Sequence, residues 1–270
     1  SHFWAKERGA VFVEVGNWLR AQWFPIEGET HWRQSVDREV KATRASVGVC
    51  DCTTLGKIDV QGADAATFLN KVYCNPFAKV AVGKTRYGLM LREDGIAMDD
   101  GTAARLAEDH FVVTTTTAKA GPVYQHMEFV RQCLMPDADV QLISTTEAWA
   151  QYAVAGPNSR ALLQKIVDPE FDISNEAFEF MACANITVCG GLRARLFRIS
   201  FSGELAFEIA VPSRYGDSLM RKLMDEGEEF GVVPYGTEAL GVMRIEKGHA
   251  AGNELNGTTT ANNLGMGRMV

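Results

Sequence analysis

Three stretches of this 270-residue sequence have residue types and spacing that could do chemistry: Asp99-Asp100-Gly101, Phe207-Glu208-Ile209 and Arg244-Ile245-Glu246-Lys247-Gly248. Adjacent acids repel, so one of Asp99 and Asp100 is expected to hold its proton to unusually high pH. At a cleft mouth such a carboxylate could take a proton from a bound amine, where position within hydrogen-bond reach matters first. The same residues also read as a turn or bulge ending a hairpin strand, which is the default on composition. On a strand, Phe207 and Ile209 point one way and Glu208 the other. Glu208 is then solvent-facing or, if its face lines a cleft, a partner for two parallel N–H donors such as an aminopyrimidinone edge presents. Glu238–Gly248 reads as an amphipathic helix. Its Arg244 and Lys247 default to a solvated face, and the functional alternative aims the Arg244 guanidinium at a bound carboxylate.

Other chemistries recede. The sequence has no Gly-x-Gly-x-x-Gly after a strand, no phosphate-binding Gly-rich loop ending in Lys, no His-Glu-x-x-His and no Gly-x-Ser-x-Gly. The histidines, His2, His31, His110, His126 and His249, are dispersed. The six cysteines lack paired CxxC spacing, so they are expected to be reduced, packed thiols. Cys50-x-Cys52 is the one close pair, two thiols sharing a strand face.

Positioning these groups requires elements that an internal echo outlines. Lys57-Ile58-Asp59-Val60-Gln61-Gly62 before Ala65–Val72 resembles Gln151-Tyr152-Ala153-Val154-Ala155-Gly156 before Ser159–Ile166. Each reads as strand, Gly turn and amphipathic helix, with Pro157 near the first turn of the second helix. The offset between Gly62 and Gly156 is 94 residues. It also matches strand Phe111–Thr114 to Ala206–Glu208, and a helix near Lys119–Gln132 to one over Ser213–Glu229 that Gly231 stops. By the same offset Glu208 matches Thr114. Hairpins are expected over Tyr87–Met98 and Ala194–Ile209. Strands come in runs, so the expected class is α+β: two pseudo-symmetric halves near 50–140 and 145–250, with antiparallel sheets, flanking helices and a shared ligand cleft.

Composition limits the partners. Hydrophobic residues make up 46% and charged residues 23%, proportions of a folded globular protein. A formal net charge of −7 without a basic run argues against nucleic acid and anionic lipid. The apolar stretches are short of a membrane span and no signal-peptide pattern opens the chain, so a cytoplasmic location is expected. A start at Ser1 and a stop after Asn262–Val270 suggest a fragment of a longer protein.

Taken together, five segments in order resemble the folate-dependent aminomethyltransferase family, the glycine-cleavage T-protein fold. They are Gly16-Asn17-Trp18 with Pro25; Val47–Asp51 leading into Gly56–Gly62; Arg86–Leu91 with Asp94–Asp100; Phe201-Ser202-Gly203-Glu204 with Phe207–Ile209; and Arg244–Gly248. Met98–Thr102 and the Thr114–Thr117 run are most similar to the C-terminal half of the large (alpha) subunits of bacterial heterotetrameric sarcosine oxidases.

The resemblance implies that residues 1–255 form a folate-binding region, with 256–270 beginning a truncated C-terminal domain. It implies Asp100 as the acid near the folate amine nitrogens, accepting a proton, with Asp99 beside it. It places Tyr87, Thr114, Phe201, Glu208 and Arg244 around the pterin, Glu208 holding the 2-amino-4-oxo edge. The implied reaction captures the one-carbon unit of oxidised sarcosine, a small-molecule substrate, on tetrahydrofolate, giving 5,10-methylenetetrahydrofolate and glycine. FAD, FMN and NAD are then expected only elsewhere in a complex with other sarcosine oxidase subunits. A free-standing aminomethyltransferase or demethylase and a non-catalytic folate-binding module are the alternatives. The chain departs from the T-protein pattern at Phe201, where Tyr is usual, at Thr114, where Asn is usual, and at Ala206, where Gly is expected. His249 replaces the thiol of a Lys-Gly-Cys motif found in a related tRNA-modification and iron–sulfur family.

Overall fold

The computed structural model describes the whole chain, Ser1–Val270. Residues 1–54 form α1 (His2–Glu7), β1 (Val11–Val15), β2 (Trp18–Trp23), α2 (Trp32–Ala45) and β3 (Gly48–Asp51). α2 starts where His31 caps it: His31 Nδ1 accepts the Arg33 N–H, and the Gln34 side chain accepts the His31 N–H, a capping box built on histidine. Next come β4 (Gly56–Gln61), α3 (Ala65–Val72), β5 (Lys84–Leu91), β6 (Ala97–Ala107), β7 (His110–Thr115), α4 (Ala120–Phe129) and β8 (Gln141–Ser144). The third stretch holds β9 (Trp149–Ala155), α5 (Ser159–Gln164), β10 (Cys183–Val188), β11 (Leu192–Phe197), β12 (Ala206–Pro212), α6 (Gly216–Gly227), β13 (Val233–Pro234) and α7 (Thr237–Lys247). No helix is long and apolar enough to cross a membrane.

These elements form two compact units that interleave in sequence. One comprises Ser1–Thr54 and Glu147–His249, the other Leu55–Thr146 and Ala250–Val270. The second unit is built on an antiparallel sheet in the order β5-β6-β7-β4-β8. One face buries Ile58, Val60, Met90, Phe111 and Val113 against α3 and α4. α3 meets it with Ala65, Phe68, Leu69 and Val72, the i, i+3, i+4, i+7 stripe of a helix that is apolar on one side. On the other face Leu89 and Ala97 pack with Leu255 and Ala261, and Thr260 bridges to Ile96.

The first unit has the sheet order β10-β11-β12-β9-β3-β13, antiparallel except where β13 runs parallel to β3. Tyr152, Val154, Phe207, Ile209 and Val211 face α5 and α6. On the opposite face Cys50, Ala155 and Ala206 are covered by Val36 and Val40 of α2, Tyr235, and Ala239 and Met243 of α7. Glu39 of α2 is fully buried, where Oε1 accepts the Phe24 N–H at 2.7 Å and Oε2 accepts the Gly236 N–H at 2.8 Å. Cys50, Cys52 and Cys183 are buried, whereas Cys133 and Cys189 are exposed, so packing accounts for only part of the cysteine set.

The same order of elements occurs twice, as β4-α3-β5-β6-β7-α4 and as β9-α5-β10-β11-β12-α6. Each sheet orders these four strands as second, third, fourth, first. Gly62 and Gly156 end the leading strands at φ 130° and 121°. A Cβ there would overlap the carbonyl of Asp139 in one case and those of Thr43 and Ser46 in the other, so both positions need glycine. The register, however, corrects the expected match of Glu208 to Thr114. The Gly62 N–H donates to Asp109 O at 2.9 Å and the Gly156 N–H to Leu205 O at 2.8 Å, an offset of 96 on the partner strand. Lys57 faces Thr114 and Ala153 faces Glu208. Glu208 therefore corresponds to Val112 and Thr114 to Ala210, because the second copy carries two more residues before β12.

Small residues seat the closing helices in a reciprocal way. A Cβ on Gly56 would lie 2.8 Å from Ala120 Cβ, and one on Gly216 would lie 2.6 Å from Ala150 Cβ. One copy puts the glycine on the strand and the other puts it on the helix. Gly216→Ala is expected to destabilise by about 1–3 kcal/mol through overpacking, against its gain in helix propensity. Adding Ala150→Gly should recover most of that loss, and urea unfolding of the single and double variants reads the coupling directly.

Candidate functional site

The acidic pair lies inside β6 and not in a turn. Asp99 pairs with Met90 and Ala97 with Leu91, which leaves Met98 as a bulge just before the pair. Successive strand residues face opposite sides, so Asp100 shares a face with its partner Leu89, and Asp99 shares one with Met90. Asp100 is half-buried, and its Oδ2 accepts the Tyr87 hydroxyl at 2.7 Å. Burial, with the Asp100 charge added, pushes the Tyr87 phenol well above its ordinary range. The Tyr87 hydroxyl also lies 3.6 Å from Met266 Sδ.

Asp99 is only 2% exposed. Its Oδ1 accepts the Thr116 hydroxyl at 2.8 Å and its Oδ2 the Thr116 N–H at 3.1 Å. Burial, and less strongly the neighbouring Asp100, push its carboxyl up to about 7. Asp99, whose carboxyl burial pushes up, is tied to Thr116. It does not share a face with Asp100 and Tyr87.

Thr114 does share that face, since its hydroxyl accepts the Thr102 N–H at 3.0 Å and touches the Thr102 hydroxyl at 2.8 Å, and Thr102 pairs with Tyr87. The hydroxyl therefore continues the β6–β7 ladder past its last backbone pair. Two buried charged residues on the same face escaped the motif reading. Lys57 Nζ donates to Leu55 O at 2.9 Å; Asp59 meets His110 Nε2 at 2.9 Å and accepts the Thr145 hydroxyl at 2.9 Å. The alternation Lys57-Ile58-Asp59-Val60 was the available signal, because it puts both charges on one side of a strand.

In the other unit Glu208 is half-buried on β12, and its Oε2 accepts the Gln151 amide. Phe207 and Ile209 are fully buried on the opposite face, as the alternation requires. The solvated-face reading of Arg244 is overturned, because Arg244 is buried in α7 and its Nη1 donates to His249 O at 3.1 Å. Lys247 is exposed as expected. Phe201 is partly exposed, and its ring stacks on His249 at 5.8 Å. His249 Nδ1 donates to Phe201 O at 2.9 Å. His249 therefore links Phe201 and Arg244, a role its place in sequence did not signal. No group of three or more His, Cys, Asp or Glu side chains is placed to hold a metal ion.

One unit thus holds Tyr87, Asp100 and Thr114 on one sheet face; the other holds Glu208 on β12, Phe201 in the segment before β12 and Arg244 on α7. The model of the GCVT N-terminal domain matches residues 1–270, and the chain belongs to this family. Within it the chain is 56% identical over 270 residues to "Sarcosine oxidase subunit alpha" of Rhizobium meliloti (strain 1021), covering 100% of this chain and 27% of that one. It is 29% identical over 222 residues to "Aminomethyltransferase" of Chloroherpeton thalassium, covering 82% of this chain and 59% of the relative. Among solved structures it matches glycine cleavage system aminomethyltransferase T from Bartonella henselae with a TM-score of 0.81 and 25% identity, over 96% of this chain and 65% of that chain. The mixed α/β architecture with antiparallel sheets is the T-protein fold. This chain spans about a quarter of the length of its sarcosine oxidase relative.

Proposed function

We propose that this chain is the tetrahydrofolate-handling region of a sarcosine oxidase alpha subunit. In this reading it captures the one-carbon unit of oxidised sarcosine as 5,10-methylenetetrahydrofolate, with release of glycine. The observation that carries the reading is Asp100, a half-buried carboxylate that accepts the hydroxyl of a phenol on the neighbouring strand. The 56% identity to an oxidase subunit across the whole chain favours it over a free-standing aminomethyltransferase.

The donor set fits tetrahydrofolate. That molecule supplies amine nitrogens to take up the one-carbon unit and an N–H-rich pterin edge to be recognised. Asp100 accepts the proton that an amine nitrogen gives up as it forms its bond to carbon, and its fixed place within hydrogen-bond reach makes that transfer efficient. Glu208 accepts paired N–H groups of the pterin, and Gln151 holds the carboxylate in orientation. Phe201 offers a ring face, and Arg244 braces the His249 backbone next to that ring. Sarcosine oxidation falls to FAD, FMN and NAD bound elsewhere in an assembly with other sarcosine oxidase subunits, and this chain carries no motif for them.

Calorimetric titration of the full-length protein with tetrahydrofolate tests the reading. Wild type should bind, and Glu208→Gln should weaken binding by roughly 10- to 100-fold, the worth of a charge-assisted hydrogen bond. Wild type that ignores tetrahydrofolate, or a Glu208→Gln variant that binds it equally well, would count against the proposal. Binding without one-carbon transfer from any amine donor would favour a non-catalytic folate module.

A further inference from the structure

We infer that Tyr87 is the positioning residue of Asp100, and that Met266 is the second acceptor its hydroxyl turns to when Asp100 takes up a proton. This rests on the folate reading above and assigns Tyr87 to the acid, not to the pterin. A phenol has one proton to give. In the structure it goes to Asp100 Oδ2 at 2.7 Å, a distance typical of a charge-assisted bond, while Met266 Sδ waits at 3.6 Å. Tyr87 pairs with Thr102, two residues along β6 from Asp100 on the same face, so its ring spans the strand pair to reach the carboxylate. The loop that carries Met266 is fixed by backbone bonds from Met266 N–H to Ala261 O at 2.8 Å and from Met269 N–H to Met266 O at 2.9 Å.

Donation from Tyr87 holds Asp100 Oδ2 and so helps set the orientation of the carboxylate. When Asp100 accepts a proton, its claim on the phenol weakens and the thioether can take the O–H. Tyr87 then has a partner in both protonation states. The ionisable groups about this site are Asp99 on the same strand, and Tyr73 and Cys74 in the segment after α3. Further along the same sheet face lie Lys57, Asp59 and His110. Among the groups that touch the Asp100 carboxylate, the Tyr87 hydroxyl donates to it and so favours its ionised form.

Tyr87→Phe in the full-length protein tests this, with two readouts: tetrahydrofolate affinity from pH 5 to 9, and the rate of methylenetetrahydrofolate formation over the same range. Without the phenol, Asp100 should hold its proton more tightly, so the acid limb of both profiles moves up by about 1 pH unit. Affinity at pH 8 should stay within about threefold, while the rate falls about tenfold. Asp100→Asn with Tyr87→Phe should be no slower than Asp100→Asn alone, because a residue acting through Asp100 has nothing left to act on. An unmoved acid limb, an affinity loss as large as the rate loss, or additive losses in the double variant would overturn the assignment. Wild type that fails to bind tetrahydrofolate would instead sink the underlying reading.

Discussion

Asp100→Asn in the full-length protein is expected to lower the rate of methylenetetrahydrofolate formation by roughly 10²- to 10⁴-fold, the usual worth of a positioned general base. Asparagine keeps the size of the side chain and can still accept the Tyr87 hydroxyl through its amide oxygen, so the strand pair around it should stay intact. What it cannot do is take a proton. Tetrahydrofolate affinity should change far less than the rate, and a rapid-quench assay beside an equilibrium titration separates the two. The transfer is also expected to become leaky, since a one-carbon unit not captured promptly meets water and appears as formaldehyde. Equal methylenetetrahydrofolate yields from variant and wild type would remove Asp100 from the chemistry.

The second large effect concerns stability. Glu39→Leu should destabilise the unit that contains it by about 2–5 kcal/mol, because the Phe24 and Gly236 N–H groups would be left buried with no acceptor. Glu39→Gln keeps one acceptor and should fall in between. These two bonds tie the end of β2 and the start of α7 to α2, so the loss is felt by three segments at once.

The same residue has a pH signature. Burial outweighs its two hydrogen bonds and pushes the Glu39 carboxyl from an ordinary 4.5 up to about 7. The folded state then binds more protons than the unfolded state between those values, so the Glu39 contribution is complete below pH 4.5 and is lost as pH rises through 7. The loss is about 3 kcal/mol. Asp99, raised to about 7 by burial as well, acts in the same direction. Urea midpoints measured from pH 4.5 to 8 should fall across this window in wild type and fall less steeply in Glu39→Leu. A midpoint that rises steadily over the range would contradict the assignment.

The sequence revealed the fold where it is local. The period-2 and period-3.6 patterns around Gly62 and Gly156 mark two strand–turn–helix units, and the structure contains both with the same left-handed glycine. The family was legible for a similar reason, since its segments are short contiguous phrases. Register was not, because the two residues gained before β12 lie in weakly patterned connections, and an offset read at one strand carries no information about insertions further on. The faces of Asp99 and Asp100 were lost to the turn chemistry of their Asp-Asp-Gly phrase, which a bulge at Met98 and a long strand override. Arg244 was misplaced because helix periodicity reports one apolar side. α7 packs against α2 and β2 as well, and His249 supplies the acceptor that lets a guanidinium be buried there. Glu39 gave no signal, because its partners lie 15 and 197 residues away.

The interleaving of the units has a consequence for how the chain is made. β4 to β8 are contiguous, so their sheet can assemble soon after residue 146 leaves the ribosome. β3 must wait for β9, whose pairing begins at Ala155 opposite Gly48, and at about 5–20 residues per second that is a delay of roughly 5–20 s. During that interval β3 carries Val49 and Cys50 with no sheet to bury them, while the next hundred residues collapse between it and its partner. The sheet of β4 to β8 is therefore complete before β3 gains its partner, and the β3 segment is where a holdase would have most to protect.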